Sequence, residues 1–247
     1  KPFLIFPDAM GCWGSQTKKI ASKIHKIPMI YISGTPRFNK FQNIKIKNNF
    51  KNNNKKILFV GSRFYMYEIE VLKIISNVIS KNFNNNFTIL YRPHPYTMVK
   101  NFDFINNIKN VKFEKSWKNF SSINKENNLK LLKSTDGLIS VMVSTMMLEA
   151  LHFYMPVLAL STNFKNQGIY DWELNHKNLL HLRCTFNKNF ILNSCSTINL
   201  EKKCKVFFKN ILDKNYKKKN SMQIYKFLND IISKSRYYET IQDFTKN

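Results

Sequence analysis

The fold of this chain is decided by residues 137–160, which read GLISVMVSTMMLEALHFYMPVLAL and carry one formal charge, Glu149. As one continuous helix this stretch would extend about 36 Å, enough to cross the apolar core of a bilayer. Its residue types instead predict a strand, a helix and a second strand. The β-branched run LISVMV is typical of a strand, Ser144 and Thr145 are good helix N-caps, and Pro156 ends the helix before the apolar run VLAL.

A membrane span is the less favoured interpretation of the same residues. Glu149, His152 and Pro156 would each lie inside the span, where such residues are costly. The chain has 247 residues, 43% hydrophobic and 14% aromatic, which is ample for a buried core. We therefore expect residues 137–160 to form part of the core of a globular domain.

The alternation of strands and helices extends outward from this stretch. Strands are predicted at residues 1–10, 28–34, 55–61, 87–91 and 111–115, and helices at residues 15–27, 67–81 and 125–133, with a poorly defined helix after residue 91. Amphipathic helices are predicted in the C-terminal tail. This order implies an α/β fold, a Rossmann-like parallel sheet with helices on both faces, which would bind ligands at the carboxyl ends of its strands.

The charge balance is strongly basic, with 40 Lys plus Arg against 15 Asp plus Glu and a formal net charge of +25. Such an excess attracts nucleic acid or anionic membrane. Only five of these residues are Arg, however, and Lys and Asn crowd together in runs such as NIKIKNNFKNNNKK. Arg is the usual choice for phosphate and base contacts. A solvated surface set by codon preference is therefore favoured over a nucleic-acid interface, and attraction to anionic inner-membrane lipid stays open.

Cysteine usage and the chain ends suggest a cytoplasmic protein. The four cysteines form no C-x-x-C pair, and no secretory signal pattern opens the chain. Because the chain begins with Lys1 rather than Met, we also expect it to be a fragment or a processed product.

The first candidate for chemistry is the segment YRPHP, residues 91–95, directly after a predicted strand. Pro93 and Pro95 stiffen the loop and fix where Arg92 and His94 point. An imidazole held in this way can donate to a phosphate oxygen or give a proton to a leaving phosphate. The alternative is a rigid turn whose histidine only satisfies a local carbonyl group.

The second candidate is the start of the central helix. The hydroxyls of Ser144 and Thr145, with the free N–H groups of the first helical turn, could form an anion site. Ordinary helix capping explains the same residues. Glu149 lies further along in an apolar run, where a carboxylate needs a hydrogen-bond partner. A ribose diol or a nearby Lys would each supply one.

The third candidate is the turn FVGSRF, residues 59–64. Gly61 allows close backbone approach, and Ser62 and Arg63 could reach a phosphate. An ordinary strand-to-helix turn is the alternative. The sequence lacks Walker A, G-x-S-x-G, H-E-x-x-H and D-x-D motifs, so we expect no metal and no cofactor.

Two segments together carry a resemblance to a known family. YRPHP and residues 134–160 resemble the C-terminal, donor-binding domain of GT-B-fold glycosyltransferases. The likeness is greatest to the bacterial surface-polysaccharide group containing CDP-glycerol glycerophosphotransferases and the sialyl- and Kdo-transferases that share a His-Pro motif. Residues 6–38 are similar to the end of the N-terminal domain in that group. The chain departs from the group's pattern at Met155, where a glycine often precedes the proline.

The resemblance implies inverting transfer without a bound metal. It implies that His94 contacts the donor phosphate or assists the leaving nucleotide, that Ser144 and Thr145 hold the phosphate, and that Glu149 faces the ribose. The chain would then divide into a remnant of the N-terminal domain (1–38), a linker (39–56), the donor-binding domain (57–200) and C-terminal helices (201–247).

The sequence therefore predicts a transferase that moves a glycosyl or glycerophosphoryl group from a nucleotide-activated donor to a saccharide or polymer acceptor. Arg92, Gly61, Ser62 and Arg63 join Ser144 and Thr145 as predicted phosphate-binding residues. Two alternatives stay open. One is an enzyme similar to UDP-sugar 2-epimerases, and the other is a non-enzymatic polyanion-binding protein.

Overall fold

The computed structural model describes residues 8–24, 28–35, 38, 54–61, 65–94, 102–114, 124–141, 144–160, 191–194 and 197–231. The predicted site residues Ser62 and Arg63, most of the predicted linker, and the first half of the predicted N-terminal strand lie outside these ranges.

The N-terminal part is a small β-α-β unit. Strand β1 (Ala9–Cys12) and strand β2 (Met29–Ile32) pair in parallel, and helix α1 (Ser15–Ile24) connects them. The predicted helix at 15–27 and strand at 28–34 are confirmed in position, with slightly shorter limits.

The larger part is a six-stranded parallel sheet with its helices. In chain order its elements are β3 (Lys55–Val60), α2 (Tyr65–Asn82), β4 (Phe87–Arg92), a 3-10 helix (Asp103–Asn107), β5 (Val111–Phe113), α3 (Asn124–Lys133), β6 (Gly137–Val141), α4 (Thr145–Leu151), β7 (Val157–Leu160), β8 (Ile191–Ser194), α5 (Thr197–Leu212) and α6 (Tyr216–Ile231). The strand order is β5-β4-β3-β6-β7-β8. The chain builds outward from β3 through β4 to β5, and then returns to place β6 on the other side of β3.

Alternate residues of each strand enter two separate cores, one on each face of the sheet. The first face carries Ile57, Phe59 and Ile139 and is covered by α2 and α5, which contribute Leu72 and Phe207. This segregation follows from the two-residue period of a strand.

The second face carries Leu58, Leu138 and Val157. Helices α3, α4 and α6 cover it, and α6 contributes Ile224 and Leu228. Helices therefore lie on both faces of a parallel sheet, and the predicted Rossmann-like α/β fold is confirmed.

Residues 137–160 fold as β6, α4 and β7, which confirms the predicted strand, helix and strand. All four residues of β7 are buried, because this strand is covered on both faces. Among the helices that the structure describes, none combines the length and the apolar character that a bilayer crossing requires.

Three details differ from the sequence prediction. Strand β8 (Ile191–Ser194) was not predicted from the sequence. Helix α4 ends at Leu151 instead of continuing through Tyr154, which takes a left-handed conformation with φ 52° two residues before Pro156. Strand β3 begins at Lys55 and α5 continues past residue 200, so both limits of the predicted 57–200 domain fall inside elements. The division into four parts stays a prediction.

Candidate functional site

The carboxyl ends of three adjacent strands bring most of the described candidate residues to one edge of the sheet. Val60, the last residue of β3, pairs with Arg92 of β4 and with Ser140 of β6. His94 follows Arg92 by two residues, and Ser144 follows Ser140 by four. Because all three strands are parallel, His94 and Ser144 lie at the same edge, on either side of β3.

This edge also contains the point where the strand order reverses. The connection from β3 leads to β4 on one side, whereas the connection from β6 leads to β7 on the other. In open α/β sheets such a reversal opens a crevice between the two strand ends. The candidate residues therefore surround a place where sheets of this type bind ligands.

Arg92 is held in a polar network on the second face. Its Nη1 donates a hydrogen bond of 2.7 Å to Oδ1 of Asn128 in α3 and lies 3.9 Å from Sδ of Met146 in α4. Burial lowers the pKa of Arg92, while the nearby carboxylates Glu114 and Glu149 raise it. The guanidinium group thus connects β4 to both helices that flank the edge.

Glu149 is 4% exposed in the middle of α4. Arg92 is a cation close enough to interact with its carboxylate, and the sequence had left a lysine or a ribose diol open as the partner. A buried carboxylate is tolerated when it faces an opposite charge, so this attraction helps to offset the desolvation of Glu149.

Glu114 and Asn128 are the residues of this network that the sequence analysis missed. Glu114 directly follows β5, and its N–H donates to the Tyr91 carbonyl oxygen at 2.9 Å. Because Glu114 directly follows a predicted strand, the sequence could have marked it as a candidate residue at the carboxyl edge. Asn128 lies inside α3, where a polar residue on a helix gives no sign of the side chain that it contacts.

Ser144 occupies the N-cap position of α4, as predicted, but its side chain does not cap the helix. Its hydroxyl lies 3.0 Å from the hydroxyl of Ser140, which is fully buried at the end of β6. The predicted N-cap position is therefore confirmed, whereas the alternative of ordinary side-chain capping does not hold for Ser144. Thr145 begins the helix and is half-buried.

Helix α4 has seven residues. A helix this short aligns few peptide dipoles, so its positive end contributes less than the prediction assumed. Any anion at this edge would depend mainly on side chains.

Gly61 follows β3, and its N–H donates to the Arg92 carbonyl oxygen at 2.8 Å. A Cβ atom here would overlap Oε2 of Glu68 and lie 3.0 Å from its Cδ. Glu68, in the first turn of α2, accepts a hydrogen bond of 2.6 Å from the Tyr91 hydroxyl. The glycine is therefore explained by a close contact with a carboxylate inside the protein, whereas the prediction invoked a phosphate.

His94 is half-buried and follows the buried Pro93. The structure thus places His94, Arg92, Gly61, Ser144, Thr145 and Glu149 around the carboxyl edge. Their roles in binding a donor stay predictions.

His152 lies apart from this edge, at the C-terminal end of α4. Its Nδ1 donates to the Leu148 carbonyl oxygen at 2.7 Å, and its ring stacks on Phe38 with centroids 5.5 Å apart. Phe38 in turn meets the edge of Trp13 at 6.1 Å. This row of rings joins the N-terminal unit to the helix that carries Glu149.

In the described ranges, His, Cys, Asp and Glu side chains form no group of three that could hold a metal ion. The prediction of metal-free chemistry rests on the missing sequence motif and on the family resemblance.

Comparisons with known proteins give weak similarities. No protein-family model and no curated protein sequence matches the chain. The crystal structure of TarM is similar over 97% of this chain and 43% of its own, with 12% identity and a TM-score of 0.47. The wall teichoic acid polymerase TagF is similar over 90% of this chain and 58% of its own, with 14% identity and a TM-score of 0.36. The chain thus spans about half the length of each. Similarities this low carry no functional conclusion.

Proposed function

We propose that this chain is the donor-binding part of a GT-B glycosyltransferase or glycerophosphotransferase of surface-polysaccharide synthesis. The observation that carries the proposal is the gathering of Arg92, His94, Ser144 and Glu149 at the carboxyl edge of the sheet, where the strand order reverses. Side chains that can donate to a phosphate and a carboxylate that can accept from a diol occur together there. A nucleotide diphosphate donor requires both.

In the proposed reaction an acceptor hydroxyl attacks the transferred group, and the bond from that group to the nucleotide phosphate oxygen breaks. Negative charge then develops on the leaving phosphate. His94 donates a hydrogen bond or a proton to it, and the hydroxyls of Ser144 and Thr145 donate hydrogen bonds. Fixed donors directed at developing charge are the contribution that usually matters most.

Glu149 accepts hydrogen bonds from the ribose hydroxyls in this proposal. Arg92 has a different role from the one that the sequence suggested. Since Asn128 and Met146 fix its guanidinium group and Glu149 is close by, it serves first as a fixed positive charge beside the Glu149 side chain. It also contributes a positive charge at the phosphate side of the edge.

The proposal includes no metal and no cofactor besides the donor, because the sequence has no D-x-D motif to hold a metal-bound diphosphate. It is a cytoplasmic activity, with a saccharide or polymer as acceptor and the anionic inner-membrane surface as a further partner.

Calorimetry with the purified chain tests the donor site. CMP, CDP or UDP should bind more tightly than inorganic phosphate, and His94→Ala should weaken nucleotide binding about tenfold or more, the loss of a hydrogen bond to a charged group. The matched control is Ser76→Ala, which removes a buried 2.6 Å hydrogen bond to the Lys109 carbonyl oxygen away from this edge. It should bind nucleotide as the natural chain does.

Equal affinity for all three nucleotides and for inorganic phosphate would refute the donor site. The epimerase alternative makes a different prediction: incubation of UDP-GlcNAc without any acceptor would yield its epimer. Formation of the epimer would show that the reaction is epimerisation and not transfer. The proposed donor site would still stand.

A further inference from the structure

A buried carboxylate and phenol lie on the first face, beneath the same edge of the sheet. Glu68 is 1% exposed and the Tyr91 side chain is fully buried. The Tyr91 hydroxyl donates a 2.6 Å hydrogen bond to Oε2 of Glu68. Burial raises the pKa of Tyr91, and the charge of Glu68 raises it further, so the phenol stays protonated and keeps donating.

Tyr91 and Arg92 are consecutive residues of β4 that point to opposite faces of the sheet. The Tyr91 hydroxyl binds Glu68 on the first face, and the Arg92 guanidinium binds Asn128 on the second. The backbone between them is held as well. The Tyr91 carbonyl accepts from the N–H of Glu114, and the Arg92 carbonyl accepts from the N–H of Gly61.

The next two residues are Pro93 and His94. A proline has a fixed φ, so the direction in which His94 leaves the sheet depends on the orientation of the residues before it. We infer that Glu68 and Tyr91 are positioning residues, whose hydrogen bond fixes the ends of β3 and β4 and thereby sets the place of the His94 ring. The role of His94 in binding the donor rests on the proposed function. The claim that Glu68 and Tyr91 set the position of the His94 ring does not.

The choice of side chains supports a positioning role over simple packing. A leucine in place of Glu68 would fill space without needing a partner, whereas a buried carboxylate is costly unless it is hydrogen-bonded. The contact with Glu68 also excludes a side chain at Gly61. A directional bond, unlike an apolar contact, fixes where the Tyr91 hydroxyl and the Glu68 carboxylate lie relative to each other, and that carboxylate packs against Gly61.

The experiment compares Tyr91→Phe, which removes only the hydroxyl, with the matched control Ser76→Ala. Ser76 lies in the same helix as Glu68 and is 4% exposed. Two readouts are taken on each protein: calorimetric affinity for CMP, CDP and UDP, and the imidazole NMR resonances of His94, assigned by their loss in His94→Gln. Both variants should lower the melting temperature.

Tyr91→Phe should shift the His94 resonances and weaken nucleotide binding about tenfold, the loss of one well-placed contact. Ser76→Ala should do neither. Glu68→Gln keeps an amide oxygen that can accept a hydrogen bond from Tyr91. The His94 resonances of this variant should therefore stay close to those of the natural chain. If His94 resonances in Tyr91→Phe match those of Ser76→Ala, the positioning role is wrong.

The two proposals fail in different ways. A natural chain that binds none of the nucleotides refutes the donor site, yet the His94 resonances still decide the positioning role. Nucleotide binding that persists unchanged in Tyr91→Phe, with unmoved His94 resonances, refutes the positioning role alone.

Discussion

Gly61 directly follows β3, and its N–H donates a hydrogen bond to the Arg92 carbonyl oxygen. The sequence suggested a glycine that lets the backbone approach a phosphate. In the structure the atom that excludes a side chain is Oε2 of Glu68. The positive-φ residues of the described chain do not include Gly61, so backbone strain does not explain the glycine.

A double-mutant cycle tests this contact. Gly61→Ala should destabilise the chain by about 1–3 kcal/mol, as overpacking of a filled site typically does. In a Glu68→Ala background the same change should cost less, because the carboxylate that it would overlap has gone. Urea unfolding of the four proteins measures the coupling. Additive effects, within about 0.5 kcal/mol, would show that Glu68 is not what excludes the methyl group.

At the scale of elements, α4 connects the candidate site to the N-terminal unit. Glu149 lies near its middle, Ser144 and Thr145 lie at its start, and His152 lies at its end against Phe38. The helix ends at Leu151, and Tyr154 beyond it takes a left-handed conformation with φ 52°. A tyrosine is strained there by about 1–2 kcal/mol relative to a glycine.

The stacked histidine gives this contact a pH dependence. Burial lowers the pKa of His152 below its ordinary value near 6.5, and the hydrogen bond to the Leu148 carbonyl opposes the shift in part. The folded chain therefore favours the neutral ring. This contribution to stability is present above about pH 6.5, the unfolded value, and is lost as pH falls through the folded pKa.

Melting temperatures of the natural chain and of His152→Phe, measured from pH 8 to pH 5, check this prediction. Phenylalanine keeps a ring against Phe38 but cannot titrate. The natural chain should therefore lose more stability on acidification than the variant does. Parallel curves for the two proteins would mean that protonation of His152 does not destabilise the fold.

At the scale of the whole molecule the formal net charge is +25, from 40 Lys plus Arg against 15 Asp plus Glu. Helices α5 and α6 and the turn between them expose several lysines beside apolar side chains. The exposed lysines are Lys202, Lys205, Lys209, Lys214, Lys218, Lys219 and Lys226, and the exposed apolar residues are Val206, Leu212, Met222 and Tyr225. Such a surface is suited to attraction by anionic lipid.

Sedimentation with liposomes tests the proposed membrane partner. The chain should sediment with vesicles that contain anionic lipid more than with neutral vesicles, and added salt should release it, because exposed charges are screened. Equal sedimentation with both vesicle types would contradict the proposal.

The same charge also underlies the polyanion-binding alternative. That alternative predicts binding to arbitrary duplex DNA, with an affinity that falls steeply as salt is added. A nucleotide site made of fixed side chains should be less sensitive to salt. Nucleotide-specific binding that survives salt would therefore exclude a purely electrostatic function.

The sequence by itself determined the elements and the edge of the sheet at which a site could form. Apolar runs separated by helical patterns predicted β3, β4, β6 and β7. A parallel sheet then places every strand's carboxyl end on one side, which is why His94 and Ser144 could be expected at one edge. These features depend on local periodicity and on a general rule of topology.

Only the tertiary structure decided which side chains meet at that edge. Tyr91 and Glu68 are 23 residues apart in sequence, Arg92 and Asn128 are 36 apart, and Arg92 and Met146 are 54 apart. Such contacts depend on how helices pack against the sheet, and no local pattern encodes that packing. For the same reason the sequence could not show that the Ser144 hydroxyl lies 3.0 Å from the hydroxyl of Ser140 instead of capping α4.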